Sequence, residues 1–106
     1  MNELPRPVAA ALAAANSHDI AAFLACFTPN GVVDDWGREF LGPDAIRAWS
    51  DSEFIGVHVS LDLTGVERDG DAITVAANVG GDGFNGPSHF TFQIDGERVS
   101  RMTIRA

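Results

Sequence analysis

Apolar residues in the first half of the chain recur at the three- and four-residue spacing that is typical of amphipathic helices. Two such stripes come first, and a polar break at residues 16–19 separates them and can cap the second helix. A third helical pattern begins at the Gly-Pro-Asp step of residues 42–44. The apolar positions of the three predicted helices are Val8, Ala11, Leu12 and Ala15, then Ile20, Phe23, Leu24 and Phe27, then Ile46, Trp49 and Phe54.

The second half of the chain changes to a period of two, in which apolar and polar residues alternate as they do in β-strands. Asp-Gly pairs at residues 69–70 and 95–96 predict tight turns. The double step between Val99 and Met102 indicates a bulge in the last strand. The residues that alternate with the more polar side of the four predicted strands are Val57, Val59, Leu61 and Leu63, then Ile73, Val75, Ala77 and Val79, then Ser88, Phe90, Phe92 and Ile94, and finally Val99, Met102 and Ile104.

The order of these patterns predicts the fold class. Two helices are followed by a short hairpin within residues 28–41, a third helix and a four-strand meander. We therefore expect an α+β fold in which three N-terminal helices pack on one face of a curved, mostly antiparallel sheet. Because the chain has 106 residues and no low-complexity linker, we expect residues 1–106 to form a single domain.

The balance of charge narrows the range of partners. Seven basic and fifteen acidic residues give a formal net charge of -8. Such a chain repels phosphate backbones, so we expect neither nucleic acid nor an anionic membrane as a partner. The sequence has no apolar run of about 20 residues and no signal peptide pattern. The single cysteine, Cys26, allows no internal disulfide, and these features together predict a cytoplasmic protein.

Two adjacent carboxylates, Asp34 and Asp35, lie on the short strand before the hairpin, so their side chains must point to opposite faces. Asp35 is two residues after Val33 and therefore shares the face of the strand to which Val33 points. This predicts that Asp35 points under the helices and that Asp34 is solvated. A carboxylate among aromatic and aliphatic side chains can serve as a general base or acid. The alternative is structural, since Asp35 can cap a turn or pair with Arg38 or Arg47.

The residue pattern predicts neither a metal site nor a bound cofactor. None of the three histidines has another histidine or cysteine three or four residues away, so we expect no metal site. Cys26 lies beside an apolar helix stripe, which indicates a buried structural thiol. The glycine-rich stretch at residues 80–87 lacks the Gly-Lys-Ser/Thr ending of a phosphate-binding loop and is better interpreted as a mobile hairpin or lid. We therefore expect no cofactor.

Four segments follow one another in an informative order. They are the helix break at residues 16–19, the strand entry at 28–35, the Phe-Leu-Gly-Pro-Asp-Ala-Ile step at 40–46 and the Ser-His-Phe-Thr-Phe strand at 88–92. Together they resemble the nuclear transport factor 2-like superfamily, which includes the SnoaL-like polyketide cyclases and the ketosteroid isomerases. The loop at residues 84–88 is similar to the Phe-Pro-Gly-Ser-Pro loop of small SnoaL-like proteins. The resemblance implies a cone-shaped fold, which by itself does not fix the reaction.

The resemblance to ketosteroid isomerases can be followed residue by residue. Asp35 matches the position of their general base, whereas Ser88 stands where their protonated aspartate precedes a His-Phe segment. Their oxyanion tyrosine corresponds to about Ala11, and this chain has no tyrosine. Losing an oxyanion donor lowers the rate by about 10²–10³-fold. The comparison therefore argues against true ketosteroid isomerase activity and leaves Asp35 and Ser88 as the candidate catalytic residues.

The fold that the resemblance implies keeps an apolar cavity between helices and sheet, so aromatic residues are candidates for its lining. Each of them can also be plain core. Ser88 shares its parity with inward-facing aromatics, and Phe84 lies on the glycine-rich loop as a possible plug. The candidate ligand-binding residues are Trp36, Phe40, Trp49, Phe54, Phe84, Phe90 and Phe92.

Two hypotheses for the function follow. The first is a cofactor-free isomerase, cyclase, dehydratase or hydrolase that acts on a hydrophobic small molecule through Asp35. The second is a non-catalytic ligand-binding or dimeric interaction domain, which the missing tyrosine and the lack of a second inward acid favour. In either case the outer sheet face is small and mildly polar, which predicts a homodimer through that face. Its residues are His58, Ser60, Thr74, Ala76, His89 and Thr91.

Overall fold

The computed structural model describes residues 4–106. In chain order its elements are α1 (Arg6–Asn16), α2 (Ile20–Ala25), β1 (Phe27–Asp35), β2 (Arg38–Leu41), α3 (Gly42–Glu53), a short 3-10 helix (Ile55–Val57), β3 (Ser60–Asp69), β4 (Ala72–Gly80), β5 (Gly86–Asp95) and β6 (Arg98–Arg105).

The three helices pack against one six-stranded sheet with the strand order β2-β1-β6-β5-β4-β3. Neighbouring strands are antiparallel except for β1 and β6, which are parallel. The predicted α+β architecture is therefore confirmed. Within residues 4–106, no helix has the length and apolar character needed to cross a bilayer.

Local interactions fix where the helices begin. Pro7 lies in the first turn of α1, where its missing N–H would have had no partner within the helix. Asp19 caps α2, because its Oδ1 accepts a 3.1 Å hydrogen bond from the N–H of Ala22. Gly42 starts α3 with a φ of +85°, a left-handed conformation that glycine adopts without strain.

The second helix is shorter than its apolar stripe predicts, and Phe27 is not part of it. α2 ends at Ala25, and Phe27 is the first residue of β1. The carbonyl of Cys26 accepts a 2.7 Å hydrogen bond from the Val99 N–H of β6, so sheet pairing replaces the helix at this point. The Phe27 ring nevertheless reaches the core, where its centroid lies 5.2 Å from that of Phe23.

The first strand of the meander begins later than its alternation predicts. Val57 ends the 3-10 helix, and His58 follows it with a φ of 57°. The N–H of Val59 donates to the carbonyl of Phe54 at 3.3 Å, so the chain coils back on the end of α3. Because β3 begins only at Ser60, placing His58 on the outer sheet face was wrong.

The predicted bulge in the last strand is confirmed. Ile94 pairs with Val99, whereas Gln93 pairs with Arg101, so Ser100 is an extra residue on β6. The bulge accounts for the double step in the apolar pattern of this strand.

The register of the sheet shows which side chains share a face. Asp35 pairs with Ile104 of β6, and Ile104 pairs with Phe90 of β5. Paired residues point to the same side, so this row lies on the inner face, beneath the helices. Asp34 belongs to the next row, beside Thr103, and points to the outer face. The two carboxylates therefore diverge as their parity predicts.

Candidate functional site

A cavity of about 450 Å³ lies between the end of α3, the 3-10 helix and the inner face of the sheet. This volume is within the range of about 300–1,000 Å³ that is typical of small-molecule sites. Its aliphatic wall consists of Val57, Val59, Val79 and Ile104. Five aromatic residues and two glycines form a further part of the wall, whereas the polar side chains are mainly at one end, where β1, β2 and α3 meet.

Five of the seven predicted aromatic residues line this cavity. Trp49 stacks on Phe54 with their centroids 4.9 Å apart, and Phe90 is 2% exposed at the base of the same wall. Trp36 and Phe84 line the cavity but are 57% and 58% exposed, so they mark its entrance.

The other two predicted aromatic residues lie elsewhere. Phe40 is half-buried on β2, and its ring packs at 6.0 Å from that of Trp49, on the outside of the cavity wall. Phe92 is fully buried in the core, where it pairs with Ile73 and Met102 on neighbouring strands. Both support the wall rather than line it.

Asp35 ends β1 and projects into the polar end of the cavity, with 15% of its side chain exposed. Its Oδ2 accepts a 2.6 Å hydrogen bond from Arg38 Nη2 and a 3.1 Å hydrogen bond from Trp49 Nε1. No residue from 4 to 106 donates a hydrogen bond to Oδ1. Asp35 is therefore a cavity residue, and it is also paired with Arg38, as the structural alternative predicts. Oδ2 is therefore fixed by Arg38 and Trp49, whereas Oδ1 is available to a bound molecule.

Arg38 joins Asp35 to a second acid, Glu53, at the end of α3. Its Nη1 donates to Glu53 Oε2 at 3.0 Å and its Nη2 donates to Oε1 at 2.7 Å, a bidentate pair. These hydrogen bonds hold the pKa of Glu53 below its usual value, against the effect of desolvation. The guanidinium also lies over the ring of Phe40, 5.6 Å from its centroid.

The presence of Glu53 corrects the expectation that the pocket holds no second acid. Glu53 lines the cavity at its polar end. It follows Trp49 by four residues on α3, so the two share a helix face. That spacing was the sequence signal that could have identified it. The role of Arg38 as the link between both acids depends on the β1–β2 hairpin folding against α3, which the sequence pattern does not show.

Ser88 lies on β5 opposite Ala77 and lines the cavity, as its parity predicts. The residue is 3% exposed. Among the described residues, none forms a hydrogen bond with its hydroxyl group, which is therefore available to a bound molecule. Asp35 and Ser88, the two candidate catalytic residues, thus line the same cavity.

Asp34 is not solvated, and the prediction that it would be was wrong. On the outer face its Oδ1 accepts hydrogen bonds from the Gly37 N–H at 2.8 Å and from Arg105 Nη1 at 3.0 Å. Its Oδ2 accepts one from Arg101 at 2.9 Å. These bonds, led by that from Arg105, lower the pKa of Asp34 to about 2 although desolvation opposes the shift. Asp34 therefore ties the hairpin to β6.

The glycine-rich loop is attached near the entrance of the cavity. Asp82 Oδ2 lies 2.8 Å from His58 Nδ1, and the Asp82 N–H donates to the Val57 carbonyl at 2.8 Å. No group of three metal-ligating side chains occurs within the described part of the chain. Cys26, directly after α2, is half-buried rather than buried as predicted, and this partial burial raises the pKa of its thiol.

The sequence profile of the SnoaL-like domain matches residues 8–102. No curated protein matches the chain significantly. A candidate polyketide cyclase from Sinorhizobium meliloti is 27% identical, with a TM-score of 0.84 over 96% of this chain and 95% of that one.

Two further solved structures share the fold at lower identity. A protein with a ketosteroid isomerase-like fold from Catenulispora acidiphila, in complex with trimethylamine, is 23% identical, with a TM-score of 0.82 over 98% of this chain and 87% of that one. RV0760c from Mycobacterium tuberculosis, in complex with estradiol-17beta-hemisuccinate, is 14% identical, with a TM-score of 0.80 over 98% and 95%. Since the profile spans most of its length, the chain belongs to the SnoaL-like domain family and has the nuclear transport factor 2-like fold.

Proposed function

We propose that the protein binds a hydrophobic small molecule in the cavity between α3 and the sheet, with Asp35 as its central polar contact. The observation that carries this proposal is an aromatic and aliphatic cavity of about 450 Å³ with an available carboxylate oxygen at one end. A related fold holds a steroid derivative in RV0760c, which supports the same use of the cavity here.

The geometry also supports a finer proposal, cofactor-free acid-base catalysis. Arg38 and Trp49 fix one oxygen of Asp35, so the second oxygen is oriented to take a proton from a carbon beside a carbonyl group. The hydroxyl of Ser88 can donate a hydrogen bond to that carbonyl as negative charge develops on it. If Asp35 returns the proton to a different carbon, the result is an isomerisation. If the enolate carbon instead attacks a second carbonyl group of the same molecule, a ring closes and Asp35 gives the proton to the new alkoxide oxygen. Neither reaction needs a cofactor.

The alternative is a non-catalytic binder. The chain lacks the tyrosine that serves as an oxyanion donor in ketosteroid isomerases. Asp35 also belongs to an ion pair with Arg38, an arrangement that serves binding and stability equally well. In this alternative the carboxylate only orients a ligand.

Two further parts of the proposal concern assembly and location. The outer sheet face carries small polar residues, including Thr74 and Thr91, whose hydroxyls are 3.0 Å apart, and it is a candidate homodimer surface. The cluster around Asp34 adds charge beside this face.

The single cysteine and the net charge of -8 favour the cytoplasm over an oxidising compartment or an anionic surface.

Binding in the cavity can be tested with 2-(1-naphthyl)ethanol, a neutral apolar probe, by isothermal titration calorimetry. Val79→Trp places a large ring in the cavity wall, whereas Asn78→Trp places the same ring on the exposed face of β4. We expect Val79→Trp to weaken binding by at least about tenfold, because the ring occupies apolar volume. Equal binding by both variants would show that the probe binds elsewhere.

Catalysis can be tested separately by deuterium exchange. A panel of neutral cyclic ketones is incubated in D₂O, and incorporation at the carbon beside the carbonyl is followed by NMR. We expect the native protein to accelerate exchange for at least one ketone and Asp35→Asn to abolish the acceleration. Asp44→Asn, in the exposed first turn of α3, is the matched control. Acceleration that survives in Asp35→Asn would reject Asp35 as the base.

A further inference from the structure

We propose that the cavity selects ligands that carry a protonated amine on an apolar body, over neutral and especially over acidic molecules of the same size. This inference rests on the proposed function, since it names the ligand class of the same cavity. The charges, the occupied donors and the aromatic rings of the lining all favour such a ligand.

The polar end of the cavity carries more negative than positive charge. The lining contains two carboxylates, Asp35 and Glu53, and one cationic side chain, Arg38. The polar end therefore has a formal charge of about -1 when these groups are ionised, and the whole chain has a net charge of -8. An acid that enters this end meets excess negative charge, whereas an ammonium group is attracted to it.

The strong hydrogen-bond donors at this end of the cavity already have acceptors. Both terminal nitrogens of Arg38 donate to Glu53, and Nη2 also donates to Asp35. The indole N–H of Trp49 donates to Asp35 as well. A carboxylate ligand would have to displace one of these bonds before it could be recognised.

An acceptor, in contrast, is available without any displacement. Oδ1 of Asp35 receives no hydrogen bond from the part of the chain that the structure describes. Ser88, at 3% exposure, presents a second group without a hydrogen-bond partner among residues 4–106. An ammonium group at Oδ1 would form a charge-assisted hydrogen bond, the stronger class of such bonds.

Aromatic rings line the path from the entrance to Asp35. Trp36 and Phe84 flank the entrance, and Trp49 and Phe90 lie further inside. The faces of aromatic rings attract cations, and the attraction is strongest for indole. An amine that passes through this entrance and stops at Asp35 is therefore favoured along its path, while its apolar body fills the aliphatic wall.

Three probes with a common naphthyl group test the inference by isothermal titration calorimetry near neutral pH. They are 2-(1-naphthyl)ethylamine, 2-(1-naphthyl)ethanol and 1-naphthylacetate, which are positive, neutral and negative. We expect the amine to bind about 3–10-fold more tightly than the alcohol, and the acid to bind more weakly than both. The ratio of amine to alcohol affinity should fall as salt is added, because the entrance is solvated.

Variants show whether the preference arises in the cavity. We expect Asp35→Asn and Glu53→Gln each to lower the amine-to-alcohol ratio towards 1, and Arg38→Gln to raise it. Asp44→Asn removes the same charge from an exposed site outside the lining and should leave the ratio unchanged. If Asp35→Asn fails to fold, Glu53→Gln and Arg38→Gln still decide the matter, because Glu53 and Arg38 are both partly exposed.

The outcomes separate this inference from the function on which it rests. If the alcohol binds and the amine binds no better, or the acid binds best, the amine preference is overturned while the cavity remains a binding site. A preference that is equal in all variants would also overturn it, since general attraction to an acidic protein would then be the cause. If none of the three probes binds, the proposed function itself fails.

Discussion

Asp34→Asn tests whether the carboxylate on the outer face holds the hairpin to the sheet. Asparagine keeps the size of the side chain and can still accept the hydrogen bond from the Gly37 N–H. The variant therefore removes mainly the charge that faces Arg101 and Arg105. We expect it to lower the free energy of unfolding near neutral pH.

The magnitude follows from the shift in the pKa of Asp34. The pKa falls from 3.8 to about 2, and each pKa unit corresponds to about 1.4 kcal/mol. The full shift would give about 2–3 kcal/mol, but the side chains of Arg101 and Arg105 are 29% and 45% exposed. Solvent screening reduces the value, so we expect a loss of about 1–2 kcal/mol.

The sign of the pH dependence is fixed by the direction of the shift. Because the pKa of Asp34 is lower in the folded state, its stabilisation is present above the unfolded value and is lost as the pH falls through the folded one. The difference between native protein and Asp34→Asn should therefore be constant above about pH 5 and shrink between about pH 4 and pH 2.

Urea unfolding followed by tryptophan fluorescence measures this difference at several pH values. Asp71→Asn, in the exposed turn between β3 and β4, removes an equal charge and should change the free energy of unfolding by less than about 0.5 kcal/mol. A double-mutant cycle with Arg105→Gln should show a coupling of about 1 kcal/mol. A loss that persists undiminished at about pH 2, or no coupling with Arg105, would refute the reasoning.

Gly56, Trp49 and Cys26 each provide a further test of the structure. Gly56→Ala should destabilise the fold by about 1–3 kcal/mol in urea unfolding, because its Cβ would clash with a backbone carbonyl of α3. Gly65→Ala should cost under about 1 kcal/mol, because its Cβ would meet only the Cβ of Ala76, at an ordinary contact distance of 3.9 Å. Trp49→Phe should lower the free energy of unfolding by about 1–2 kcal/mol, because the hydrogen bond from the indole N–H to Asp35 is lost. An unchanged free energy of unfolding would show that this hydrogen bond does not stabilise the fold. Cys26 should react with a thiol reagent more slowly in the folded protein than in urea, since burial raises its pKa; equal rates would show an exposed thiol.

Short-range patterns predicted most of the fold. The alternation of side chains identified the strands, and with it the inner face that Ser88 and Asp35 share. Period and parity are local properties of the chain, so the sequence carries them directly. The boundary at Phe27 was missed because a strand partner at Val99, far along the sequence, ends the helix there.

The partners of the two carboxylates were harder to predict for a physical reason. Arg101 and Arg105 follow Asp34 by 67 and 71 residues, and only the parallel pairing of β1 with β6 brings them together. The sequence gives no sign of which distant strand lies beside β1. The burial of Asp34 therefore depends on tertiary contacts, whereas the side of the sheet to which it points follows from its position along the strand.

The indole N–H of Trp49 provides the most direct test of the central claim that this cavity is a small-molecule site. It lies in the cavity wall and donates to Asp35, and its NMR signal can be assigned by comparison with Trp49→Phe. On titration with 2-(1-naphthyl)ethanol we predict shifts of this signal and of the Ser88 amide, with Thr74 and Thr91 on the outer face unaffected. Shifts confined to the outer face, or none at all, would contradict the account.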